Sequence, residues 1–228
     1  MILSGICTGS LEDYLEYAMA RFIDPPDVTS PHDLFGQMSS VFQALRLLSF
    51  AKAIQDITQE VQYLFSRGLY ITEYRLLVIL DGTNPQDAFN DTGPDRKSHI
   101  YGSCRLAAYL YMYMVLMEVP PEAEIVRTLV RRLKLLIEAE DGNLLSFWSE
   151  DMHLLLWILS MGAITRCDQE DGRYFVGNLN RVVEHMGLIS FESYKQAIGE
   201  VCWIKASSWN KYLLGLWDGL SAASSFEK

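Results

Sequence analysis

The residue types best suited to chemistry occur here in short, isolated sets. Glu150 and His153 have the Glu-x-x-His spacing that lets one helix face offer a carboxylate and an imidazole to a di-iron centre. Such a centre needs a second Glu-x-x-His and two more inward carboxylates, and none of His32, His99 and His185 follows a glutamate by three residues. The expectation is a histidine at a helix start and no metal site. Ser208 and Lys211 satisfy Ser-x-x-Lys, but the Ser-Asp-Asn and Lys-Thr-Gly triplets that complete that acyl-transfer chemistry are missing. The acidic stretch from Asp168 to Asp171 lacks the Asp-Asp-x-x-Asp pattern by which all-α prenyl transferases hold magnesium. There is no Gly-x-Ser-x-Gly elbow, no Gly-x-x-x-x-Gly-Lys-Ser/Thr phosphate loop and no Gly-x-Gly-x-x-Gly turn. The expectation is a chain that is not an enzyme and uses no cofactor.

Two other groupings suit binding. Arg127, Arg131, Arg132 and Lys134 form a basic cluster in which Arg127 and Arg131 share a helix face at i, i+4. A solvated face is the plain reading, and a docking patch for an acidic partner segment is the alternative. Tyr109, Tyr113, Trp157 and Met161 belong to two aromatic- and methionine-rich segments. Core filling accounts for such side chains, and an apolar ligand pocket competes with it, because buried tyrosine hydroxyls need partners and methionine adapts to a variable occupant.

The elements that must carry these residues are helices. Half of the residues are hydrophobic and 21% charged, enough to build a core by burial alone. Apolar residues from Gln37 to Phe65 recur at steps of three and four, as one long helix or two abutting ones. Ser103 to Met117 and Met152 to Ile164 have almost no polar face, which predicts two central helices apolar on all sides. Between them, Pro120-Pro121 opens a helix with an inward stripe of Ile125, Leu129, Leu133 and Leu136. Gly187 is the expected C-cap of a helix from Arg173 to Met186, Ser190 caps the next, and a last helix runs from Trp209 to Leu220. Alternating strand patterns are nearly absent, so the fold class is all-α, a single multi-helix domain of about eight helices. An N-terminal helix and loop over 1–36 precede a domain over 37–228, which is interrupted by a loop at about 81–97.

Charge and cysteine usage narrow the setting. Nineteen Lys and Arg against 29 Asp and Glu give a net charge of -10, which excludes a uniformly basic surface and direct nucleic-acid binding of that kind. Cys7, Cys104, Cys167 and Cys202 lie far apart, with no Cys-x-x-Cys pair, so reduced thiols are expected and no zinc ribbon. The start lacks a basic n-region, and no apolar run approaches the roughly 20 residues of a membrane span. The setting these features suggest is intracellular.

Several segments together have a familiar look. Cys104 to Tyr111, Leu154 to Ala163 with Trp157 inside it, Arg173-Tyr174-Phe175-Val176, Met186-Gly187-Leu188 before Ser190-Phe191-Glu192, Cys202-Trp203 and Leu216-Trp217 resemble the fungal-specific transcription factor domain. That domain is the regulatory region that follows a binuclear zinc-cluster DNA-binding module. The resemblance covers roughly residues 104–217 and includes no catalytic motif. It implies a regulatory region without its DNA-binding module, since the six closely spaced cysteines of that module are not present. It further implies a nuclear setting, otherwise a cytoplasmic one. The implied partners are the transcription machinery or a DNA-binding subunit, with an apolar small molecule as candidate effector. Ile204-Lys205-Ala206-Ser207 stands where relatives more often place acidic residues. The competing reading is a small all-α enzyme whose site is assembled from residues distant in sequence.

Overall fold

The computed structural model describes residues 34–54, 58–81, 96–138, 143–165, 169–203 and 209–225. Among these residues the chain forms nine α-helices and one π-helical segment and no strand, so the fold class is all-α. Two compact units are resolved, Met1–Gly82 and Thr83–Lys228, where the sequence pattern suggests one domain over 37–228. Most of the expected N-terminal helix and loop, the loop residues 82–95, His32, Cys7, Cys167, Asp168 and residues 204–208 lie outside the described residues.

In the first unit the apolar periodicity from Gln37 onward resolves into two helices, α1 (Leu34–Lys52) and α2 (Gln59–Asp81), packed on one another. The inward row of α1 is Met38, Val41, Leu45 and Leu48, all buried. Past Ala51 the hydrogen bonds tighten to Ile54 N–H on the Ala51 carbonyl, and the helix stops without a proline or glycine. Ala51 and Val61 hold this corner together, with Ile54 and Phe65 packed against them.

The second unit is built around one helix. α3 (Arg96–Leu110) continues into the π-helical segment Tyr111–Leu116, and α4 (Glu124–Glu138), the single turn α5 (Leu144–Phe147), α6 (Met152–Thr165), α7 (Gln169–His185), α8 (Phe191–Val201) and α9 (Asn210–Ser225) follow. Every residue of α6 from Leu155 to Thr165 is buried, because α3, α4, α7, α8 and α9 all pack against it. A helix apolar all round has to be enclosed in this way. Its two hydroxyls are satisfied within the helix: Ser160 donates to the Leu156 carbonyl at 2.6 Å and Thr165 to the Gly162 carbonyl at 2.6 Å.

The second segment without a polar face, expected as one helix to Met117, changes register at Tyr111. Met117 N–H bonds the Met112 carbonyl at 2.9 Å, the i→i+5 pattern of a π-helix. The segment ends with Val119 N–H on the Tyr113 carbonyl at 2.8 Å, and Glu118 between them takes a φ of 57°. That left-handed position usually belongs to glycine. Gly187, with a φ of 65°, supplies the same conformation at the end of α7, where Leu188 N–H reaches the Val183 carbonyl. Ser190 then opens α8 with a reciprocal capping box to Ser193.

One inward stripe differs from expectation. On α4 the buried residues are Val126, Leu129, Val130, Leu133 and Ile137, while Ile125 is 47% exposed. Steps of three and four fit both rows at the start of the helix, and only Ile137, one turn beyond Leu133, selects the row that stays inward to the end. No helix among the described residues is long and apolar enough to cross a membrane.

Candidate functional site

The aromatic residues of α3 and α6 separate onto two faces. Two residues apart on a helix means opposite sides, and Tyr111 faces Trp157, with ring centroids 5.9 Å apart, and meets Trp203 edge-on at 6.2 Å. Trp157 is fully buried and donates its indole N–H to the Cys202 carbonyl at 2.7 Å. Nearby, Tyr194 stacks on Trp217 at 5.4 Å. Its hydroxyl lies 2.8 Å from Ser160 Oγ, and since Ser160 spends its proton on Leu156, Tyr194 is the donor. Burial pushes the Tyr194 phenol well above its ordinary pKa. This side of α3 is closed core, and Met161, 3% exposed, belongs to α6 within it.

Tyr109 and Tyr113 make the other face, stacked at 5.9 Å with an interplanar angle of 23° across the α-to-π junction. The four pocket candidates are thus a stacked tyrosine pair on one side and Trp157 and Met161 in the core. Arg105 precedes Tyr109 by one turn on the same face. Gly102, one turn earlier again, sits where an added Cβ would lie 3.1 Å from Leu136 Cδ1, so α3 and α4 come close there. Gly102 is near the start of α3 and Leu136 near the end of α4; one turn forward along α3 comes Arg105 and one turn back along α4 comes Arg132. The two helices therefore run antiparallel, with Arg105, Arg132 and Tyr109 along one stretch of their seam.

The electrostatics of that stretch are unusual for a chain of net charge -10. Other part-buried cations of the unit have carboxylates. Arg96 meets Glu150 at 3.3 Å and Asp151 at 3.9 Å, and Lys134 reaches Asp171 at 3.0 Å, Glu170 at 3.4 Å and Glu138 at 3.8 Å. The hydrogen bond to Asp171 raises the Lys134 pKa. No carboxylate among the described residues pairs with Arg105 or Arg132. Arg105 Nε is sealed from solvent without an acceptor, a situation that costs about 1–3 kcal/mol for a neutral donor and more for a charged one. Burial pushes the Arg105 guanidinium below its ordinary value, against an opposing influence of Tyr109 and with a smaller one of Arg132 in the same direction as burial.

The basic cluster on α4 is therefore divided by function. Lys134 links α4 to α7, Arg127 holds Glu124 at 3.8 Å, and Arg131 and Arg132 are exposed, Arg132 along the seam with α3. Arg127 and Arg131, the docking candidates, are both on the outer face. Sequence spacing missed Arg105, which stands alone in a greasy run, and the only signal available was a charge on a segment otherwise without polar residues.

The isolated motifs of the sequence have separate surroundings in the structure. Glu150 lies before the first turn of α6 and pairs with Arg96, while His153 Nδ1 pairs with Glu200, so the two members of the Glu-x-x-His spacing serve different contacts. No group of three His, Cys, Asp or Glu side chains converges there. Cys104 and Cys202 are free, buried thiols, and burial raises the Cys104 pKa far above its ordinary value. Ser208 is outside the described residues, and Lys211 lies 5.0 Å over the Tyr212 ring. No family model, curated protein or solved structure matches the chain.

Proposed function

We propose that this chain is a non-enzymatic, all-α regulatory domain like the regulatory region of fungal zinc-cluster transcription factors, working in the nucleus through protein contacts and an apolar small-molecule effector. The observation that supports the reading is the stacked Tyr109–Tyr113 pair across the α-to-π junction. In a π-helical segment each backbone hydrogen bond spans one residue more than in an α-helix, and such segments occur often at functional sites. A slip of one residue at Tyr111–Leu116 would turn everything beyond it by about 100°. Such an element has two discrete packings, and an effector held by the tyrosines shifts the balance by binding one of them more tightly. Arg127 and Arg131 on the outer face of α4 suit an acidic segment of the transcription machinery or of a DNA-binding subunit.

The test is a screen of the purified chain against lipids, sterols and fungal metabolites, read by native mass spectrometry and thermal unfolding. A ligand at about 100 times its Kd stabilises by about 2.7 kcal/mol, and that shift is expected to vanish in Tyr109→Ala and Tyr113→Ala. No shift with any compound removes the effector. Fusion to a heterologous DNA-binding module, with a reporter gene as readout, tests the regulatory part separately, and an inert fusion removes that part.

A further inference from the structure

We propose that the seam between α3 and α4 is an oxyanion site, with Arg105 and Arg132 as its two cations, for a small molecule bearing a carboxylate or phosphate. The inference goes beyond the regulatory reading and does not depend on it. Its first support is the arrangement of like charges. Gly102 and Leu136 fix the approach of the helices, and one turn on, Arg105 and Arg132 fall along the seam with no carboxylate among the described residues paired to either. Adjacent like charges repel and gain when a shared anion lies between them. Acidic side chains outnumber basic ones by 29 to 19 in this chain, and the neighbouring part-buried cations Arg96 and Lys134 each have two or more carboxylates.

The second support is the state of Arg105 itself. Its Nε is sealed and unbonded, and a side-on carboxylate or phosphate takes Nε and a terminal nitrogen together. Arg132 is exposed and can close over the outer oxygens. The geometry favours a planar or tetrahedral oxyanion over chloride, which cannot bridge two forks with separate acceptors. Tyr109, stacked on Tyr113 one turn further along, gives the site an aromatic wall.

The experiment is a titration of the full chain with inorganic phosphate and, separately, with benzoate, each against sodium chloride at equal ionic strength, followed by thermal unfolding and by amide and guanidinium NMR shifts. A saturable rise in Tm beyond the chloride control is expected for at least one of them, and which one identifies the phosphoryl or carboxyl class. Affinity should fall about tenfold or more in Arg105→Gln and in Arg132→Gln, since each removes a charged hydrogen-bond donor. Lys195→Gln, which removes a cation of α8 that pairs with Glu192, should keep wild-type affinity. Arg132 is exposed, so its variant is expected to fold even if Arg105→Gln does not. Shifts equal in wild type and Arg132→Gln, or none beyond chloride for either probe, overturn the proposal.

Discussion

Gly162 has no side chain because the ring of Phe175 occupies the place where one would be. A Cβ built there falls 2.7 Å from Phe175 Cγ and nearer still to two other ring carbons, and Phe175 is fully buried and has nowhere to retreat. Alanine is the better helix former by up to about 1 kcal/mol, but overpacking a closed core costs about 1–3 kcal/mol, so the clash wins. Gly162→Ala is expected to lower stability in denaturant titrations. Gly177→Ala on the facing helix α7, where an added Cβ meets nothing within 4 Å, should raise it by up to about 1 kcal/mol. Equal effects at the two positions would refute the close contact. The sequence shows Gly162 only as one small residue in an apolar run, since nothing near it in the chain announces a ring arriving from α7. The same limit applies to the pocket candidates: residue type groups Tyr109, Tyr113, Trp157 and Met161, whereas the turn of the helix separates the tyrosine pair from the other two. Ile125 and Val126 are adjacent residues of nearly equal hydrophobicity, and only tertiary packing chooses which of them turns inward.

Helix existence was legible wherever a polar face alternated with an apolar one, as along α4, α7 and α8, and caps such as Gly187 and Ser190 marked their ends. Register was not legible where the polar face was missing. Tyr111–Leu116 is buried apart from half-exposed Tyr113, so α and π windings give the same hydrophobic pattern, and the difference shows only in which carbonyl each N–H reaches. The join between α4 and α7 was also hidden, because Lys134 appeared as one of four like charges. In the structure its ammonium, with 13% of the side chain exposed, is held by Asp171, Glu170 and Glu138 and lies 5.6 Å over the Tyr174 ring. These contacts, the hydrogen bond to Asp171 above all, raise its pKa above the ordinary lysine value. A raised pKa in the folded state contributes stability that is complete below the unfolded value and disappears as pH rises through the folded one. The stability advantage of wild type over Lys134→Met should therefore be constant from neutral pH to about 10 and shrink above it. Tyr194 and Cys104, which also lose stability in alkali because burial raises their pKa values, are common to both proteins and cancel in the difference. Urea midpoints of the pair across pH 7 to 11.5 measure it, and an advantage that grows with pH would contradict the cage.

At the scale of the molecule, the run Asp81-Gly82-Thr83-Asn84-Pro85 read as a loop, and the division into Met1–Gly82 and Thr83–Lys228 falls inside it. Periodicity alone did not reveal a boundary, because amphipathic helices on either side of a loop look alike whether they share a core or not. What distinguishes the second unit is the size of its own core. The largest fully buried side chains, Trp148, Trp157, Tyr111, Tyr194 and Phe175, all belong to it, and the five helices that enclose α6 are its own. A chain of about 150 residues buries roughly 70% of the surface that its unfolded form exposes, enough for independent stability. Thr83–Lys228 expressed alone should therefore be helical, show near-UV circular dichroism and unfold in one cooperative step. All five tryptophans lie within it, so the tryptophan emission of the full chain already reports this unit and not the other. The midpoint of the emission change in urea should agree between fragment and full chain to within the error of the extrapolation, about 10–15%. A fragment with helical far-UV signal, no near-UV signal and emission shifted to that of water-exposed indole would have lost its fixed packing. It would show that the fragment does not hold its tryptophan core by itself.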